Sequence, residues 1–139
     1  MALRNTKVIT ILNAIVCDSE ADIETAKAIT PDEAMYLAEA LIYGSAHLRV
    51  LCASEAGTCP FTLTALEFSI DGTNYATLRT FDTAVDCTAN GEKTLSGING
   101  YGICADARTT SLRLVMGGSA PDGSNKITVT AQLVLQIPG

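Results

Sequence analysis

Between Lys126 and Ile137 the apolar residues Ile127, Val129, Ala131, Leu133, Leu135 and Ile137 occupy every second position, opposed by Lys126, Thr128, Thr130, Gln132 and Gln136. A period of two sends successive side chains to opposite faces of an extended chain, so this run predicts a strand with one buried and one wet face. A helix would scatter the same residues around its axis. Leu66, Phe68 and Ile70 alternate with Glu67 and Ser69, and Leu112, Leu114 and Met116 with Ser111 and Arg113. Both runs predict half-buried antiparallel strands. His47 to Ala53, Thr77 to Phe81 and a long Thr6 to Cys17 are further predicted strands, and Asp22 to Ile29 is assigned to a strand as well.

One segment breaks this pattern. Thr30-Pro31-Asp32-Glu33 combines a capping threonine, a proline suited to the first helical position and a glutamate that closes a capping box. The predicted helix runs from about Pro31 to Tyr43. Ala34, Leu37, Ala38 and Leu41 share its apolar face, Asp32, Tyr36, Glu39 and Tyr43 the opposite one, and Gly44 stops it. Tyr36 and Tyr43, on the wetter side, are candidate partner contacts.

Asp71-Gly72, Asn90-Gly91 and Asn99-Gly100 are dipeptides that supply the positive φ of tight turns, and Gly117 to Asn125 reads as a longer loop between two strands. Many short strands with a single helix indicate a mainly β protein, an antiparallel β-sandwich or jelly-roll-like fold with one inserted helix at about 31–43. The 139 residues suit one domain, 1–139, because two separate cores would each be marginal.

The formal net charge is -6, and the nine Lys and Arg residues are scattered singly, so no basic stripe tracks a phosphate backbone and direct nucleic-acid binding is not expected. No apolar run reaches the ~20 residues of a membrane-spanning helix. Arg4 and Lys7 before the apolar stretch Val8 to Val16 superficially resemble a secretion signal. Asn13 interrupts that stretch and Val16 is bulky where a cleavage site needs a small residue, so an uncleaved N-terminus is expected. Five cysteines, Cys17, Cys52, Cys59, Cys87 and Cys104, include no C-x-x-C pair, which removes zinc and redox motifs and leaves free buried thiols as the expectation. Cys52 with Cys59, or Cys87 with Cys104, are the alternative pairings, disfavoured if the chain folds in a reducing cytosol.

No catalytic set emerges. His47 is the only histidine, and its spacing from Cys52 places the two on opposite sides of a strand, which defeats a Cys-His nucleophile. Asp82 with Asp86, and Glu20 with Asp22 and Glu24, read as solvated charges. Asp71-Gly72-Thr73-Asn74 has the opening of a calcium loop without its later ligands, so it reads as a turn. No enzyme, cofactor or metal site is expected.

The segment Leu66 to Tyr75, a strand entering an Asp-Gly turn and then an aromatic, resembles the hairpin of β-sandwich structural domains in tailed-phage virions, capsid decoration proteins among them. Ser45 to Glu55, Gly57-Thr58 and Ser111 to Gln132 resemble the neighbouring strands and loops of the same domains. That resemblance implies a virion structural protein assembled in the host cytoplasm, which stabilises or decorates the head, with the major capsid protein and copies of itself as partners. A related resemblance, to carbohydrate-binding sandwiches, implies as the alternative an adhesin-like module holding a host glycan on Tyr75 or Tyr101. The absence of tryptophan weighs against a sugar-stacking surface.

Overall fold

Arg4 pairs with Pro138, Lys27 with Leu112, Leu48 with Leu95 and Phe68 with Ala76, so the chain is doubled back on itself about a turn at Asp71. These pairings come from a computed structural model that describes residues 4–58, 61–87, 91–95 and 108–138. Among these residues the elements run β1 (Arg4–Cys17), α1 (Glu20–Ile23), β2 (Lys27–Ala28), α2 (Pro31–Tyr43), β3 (Ser45–Ala56), β4 (Phe61–Ser69), β5 (Ala76–Asp86), β6 (Gly91–Leu95), β7 (Ser111–Gly118) and β8 (Lys126–Pro138). One antiparallel sheet has the order β1-β8-β3-β6 and the other β2-β7-β4-β5. Each strand of the first half pairs with its mirror in the second, and the rolled ribbon closes through β8 on β3 and β7 on β4. That connectivity is a jelly roll, with α2 inserted between β2 and β3.

The core lies between the sheets. Ile127, Val129, Ala131, Leu133 and Leu135 of β8 face inward as their alternation predicts, with Ile9 opposite Leu133 on one side and Leu48 on the other. They meet Leu63, Leu66, Phe68, Leu112 and Leu114 of the second sheet in one buried cluster. Full burial of each large aliphatic side chain contributes about 1.5–3 kcal/mol, so this interleaving is the main favourable term. Met116 packs against the cluster only half-buried.

Helix α2 forms where its capping signals put it. Thr30 Oγ1 accepts the Glu33 N–H at 3.1 Å, and Glu33 Oε1 accepts the Thr30 N–H at 3.0 Å. The helix covers the first sheet, packing on β8, β3 and β1 through Ala34, Leu37, Ala40 and Leu41. Ala40 takes the buried place predicted for Ala38, because the packed face is centred on Leu37 and Leu41 and leaves Ala38 at its flank. Tyr36 is correspondingly half-buried, not on a wet face. Gly44 ends the helix at φ −123°, outside the left-handed region. Glycine is required there for space, because a Cβ would overlap the carbonyl of Gln136.

Three further expectations are corrected. Asp22 to Ile29 is not one strand: Ser19 caps α1 by accepting the Asp22 N–H at 3.2 Å, and only Lys27–Ala28 pairs, with β7. Ile70 is 49% exposed because β4 ends at Ser69, whose hydroxyl takes the N–H groups of Asp71 and Gly72 and turns the chain away. The segment at Gly91 is no hairpin, since β5 and β6 belong to different sheets. The strand of 126–137 lies centrally between β1 and β3, so its polar side chains form part of a face. Asn99, Gly100, Tyr101, Cys59 and Cys104 lie outside the described residues.

Candidate functional site

The hairpin that joins β4 to β5 is held by one carboxylate. Asp71 Oδ1 accepts the N–H groups of Thr73 and Asn74, both at 2.8 Å, and Oδ2 accepts Asn74 Nδ2 at 2.8 Å. Ser69 Oγ donates to Oδ1 at 2.9 Å. The donors of Asn74, then those of Thr73 and Ser69, hold the Asp71 carboxyl well below the usual carboxylate range. Its oxygens face the loop's own donors, which is the work of a turn. Gly72, at φ 79°, supplies the left-handed residue that the turn requires.

Tyr75 leaves this turn and lies back on the second sheet. Its hydroxyl is 2.8 Å from Ser111 Oγ, and the guanidinium of Arg113 sits 3.9 Å from its ring centroid. Arg113 Nε donates to Glu67 Oε1 at 2.7 Å, directly across from it on β4. One face of the Tyr75 ring is therefore occupied within the chain. The candidate tyrosines do not converge: Tyr75 belongs to the second sheet, Tyr36 and Tyr43 to the helix on the first, and Tyr101 lies outside the described residues. Tyr43 is 74% exposed, whereas the hydroxyl of half-buried Tyr36 has no hydrogen-bond partner among the described residues.

Residues with catalytic potential are dispersed in the same way. His47 points away from the core and Cys52 into it, as strand parity predicts. Glu24 Oε2 accepts the Met116 N–H at 2.9 Å, Asp22 accepts the Asp18 N–H at 3.0 Å, and Asp82 pairs with Arg79 at 3.5 Å. These carboxylates hold backbone and side-chain donors of the fold. Among the described residues no three His, Cys, Asp or Glu side chains gather as a metal site.

What the fold does assemble is a broad surface. On the outer side of the first sheet, register places Val8, Val134 and His47 in one row and Thr10, Gln132, Arg49 and Thr94 in the next. Thr130 and Leu51 follow, with Arg49 tied to Glu92 by bonds of 2.7 and 3.0 Å. Arg49, Leu51, Thr130 and Gln132 line a depression of about 140 Å³. The ion pair cancels its own charge, so the face is close to neutral, in keeping with the Thr and Gln side of β8 read from the sequence.

The four sheet edges differ. β2 has two residues, β6 has five including Glu92 and Lys93, and β5 bulges between Thr80 and Val85, where six of its residues span three of β4. β1 is long and pairs with β8 without a break from Arg4 to Thr10; among the described residues no strand pairs with its other side. Val8, Ile15 and Val16 on this strand are 44%, 38% and 52% exposed, an uncommon density of large aliphatics on an edge. Sequence reasoning missed this edge because pairing depends on residues more than a hundred positions away.

Compared with models of known protein families and with curated proteins, the sequence matches none.

Proposed function

We propose that this chain is a non-enzymatic structural subunit that docks onto a larger assembly through β1 and the adjoining outer face of the first sheet. The observation that carries the reading is the contrast among edges: β2 and β6 are short and β5 is bulged along its middle, while β1 is the longest edge, pairs regularly with β8 from Arg4 to Thr10 before its register shifts between Thr10 and Ile15, and exposes Val8, Ile15 and Val16. Unpaired strands recruit further strands, and sequences ordinarily blunt them, so an edge with no partner strand among the described residues, beside exposed valines, has the chemistry of an interface.

The resemblance of the Leu66 to Tyr75 hairpin gives the assembly its most concrete form, a tailed-phage head on which the chain acts as a decoration or cement protein against the major capsid protein. Jelly rolls occur in viral capsid and lectin domains alike, so fold-level analogy accommodates this reading without selecting it. Against the glycan-binding alternative stands the Arg113 guanidinium over Tyr75, where a sugar ring would stack.

The test is co-sedimentation of the purified chain with isolated capsids, and its measurement in intact particles. Binding at a fixed stoichiometry to the major shell protein is expected. A chain that stays monomeric at high concentration and ignores capsids overturns the reading, and glycan-array binding lost on Tyr75→Ala would replace it.

A further inference from the structure

Cys52 is the last buried residue of β3, and its partner on β6 is Gly91, the terminal rung of that ladder. Cys87 follows β5 directly, its N–H bonded to the Phe61 carbonyl at 3.2 Å on the second sheet. Only three residues separate Cys87 from Gly91. Cys87 on the second sheet is therefore only four positions in sequence from the residue opposite Cys52 on the first, which limits how far apart the two cysteines can lie. Both side chains are buried, at 2% and 0% exposure. The Cys87 thiol donates to the Val85 carbonyl at 3.6 Å, and the two thiols act on one another: Cys87 draws the Cys52 thiol below its ordinary range, and Cys52, with burial, pushes Cys87 above it.

We propose that Cys52 and Cys87 form a convertible thiol pair, which closes by exchange with a low-molecular-weight disulfide into a bridge tying the first sheet to the second. The Cys52 thiolate attacks one sulfur of the small disulfide, forming a mixed disulfide and releasing one small thiolate. Cys87, losing its proton, then attacks the Cys52 sulfur and releases the second. Two electrons pass from the protein to the small disulfide, and the two cysteine protons end on the two thiols released. Access comes from the end of the ladder: β6 is a five-residue edge strand, and a terminal rung frays at low cost. A reducing compartment keeps the pair open, and an oxidising exterior closes it. The pair differs from both pairings weighed from the sequence, and it does not depend on the assembly reading.

The experiment incubates the full chain with oxidised glutathione, alkylates remaining thiols, and digests with trypsin together with a glutamate-specific protease. Cleavage after Arg49 and Glu55 isolates Cys52 from Cys59 without any substitution. Expected are a loss of two thiols, a peptide Val50–Glu55 joined to the one containing Cys87, its disappearance on reduction, and a thermal midpoint raised by several degrees. Cys59→Ala and Cys104→Ala should leave the link unchanged, and Cys52→Ala should abolish it. No loss of thiols, or a link that joins Cys52 or Cys87 to another cysteine, overturns the proposal.

Discussion

Arg113 lies over the ring of Tyr75, 3.9 Å from guanidinium carbon to ring centroid, while its Nε holds Glu67 at 2.7 Å. One side chain thus ties together β7, β4 and the residue leaving the β4–β5 turn. The Glu67 side chain is only 19% exposed, so removing Arg113 leaves a partly desolvated carboxylate alone. Arg113→Ala should cost about 1–3 kcal/mol. Arg113→Lys should recover only part, because an ammonium keeps the charge without the planar stack. Urea denaturation of the three proteins measures both effects.

Asp71 makes the stability of the turn depend on pH. Its folded pKa lies below its unfolded value, so its contribution is present above the ordinary aspartate pKa of about 4 and is lost as pH falls through the folded value. Asp71→Asn cannot offer two charged acceptors. At neutral pH the variant should melt below the wild type, and the gap should narrow as pH drops below about 4. Melting curves across that range check it; a gap independent of pH would assign the effect to shape alone.

Gly44 joins α2 to β3 where backbone meets backbone. A methyl group there would overlap the Gln136 carbonyl, and neither partner is a flexible side-chain end that could swing aside. Gly44→Ala should cost about 1–3 kcal/mol despite better helix propensity, through separation of the helix end from the β8–β3 ladder. Gly72→Ala meets no neighbour within 4 Å, and its cost comes from φ 79° alone, about 1–2 kcal/mol. Chemical denaturation of both variants separates clash from backbone strain.

The capping box of α2 and the alternation of β8 were legible because each is written in adjacent residues: Thr30 needs only Glu33, and Leu133 only its neighbours at 131 and 135. That β8 lies between β1 and β3 is not written locally. Lys7 meets Leu135 and Ala46 meets the same residue from the other side only once the ribbon has rolled. The same gap hid the pairing of Arg113 with Glu67 and of Cys52 with Cys87. Ile70 shows the converse failure: period two continued through Ser69, and the hydrogen bonds of the Asp71 turn overrode it.

Helix α2 gives a test that is local to one element. Ala38 is half-buried in its third turn, and Ala38→Pro removes a backbone donor and places the ring against the carbonyl one turn earlier. A loss of ~3 kcal/mol is expected, with helical signal falling in circular dichroism while the strand signal persists. No loss of stability would mean that residues 31–43 contribute no helix to the fold.

The edge reading makes the sharpest demand on β1. Val8 is 44% exposed on the unbroken half of that strand, so Val8→Lys should change stability by no more than about 0.5 kcal/mol. A lysine on an open edge is the device that discourages strand addition, because its charge must be buried when another strand arrives. A specific interface buries roughly 1,200–2,000 Å², and one buried, unpaired charge near its centre weakens it by several kcal/mol. Val8→Lys should therefore abolish association with capsids, or with further copies of the chain, while the protein stays folded. Thr77→Lys, on the bulged edge of β5, should bind as the wild type does. Sedimentation of the three proteins with and without capsids decides it: equal binding by Val8→Lys and wild type would remove β1 from the interface, and loss of binding only in Thr77→Lys would move the docking edge to the second sheet.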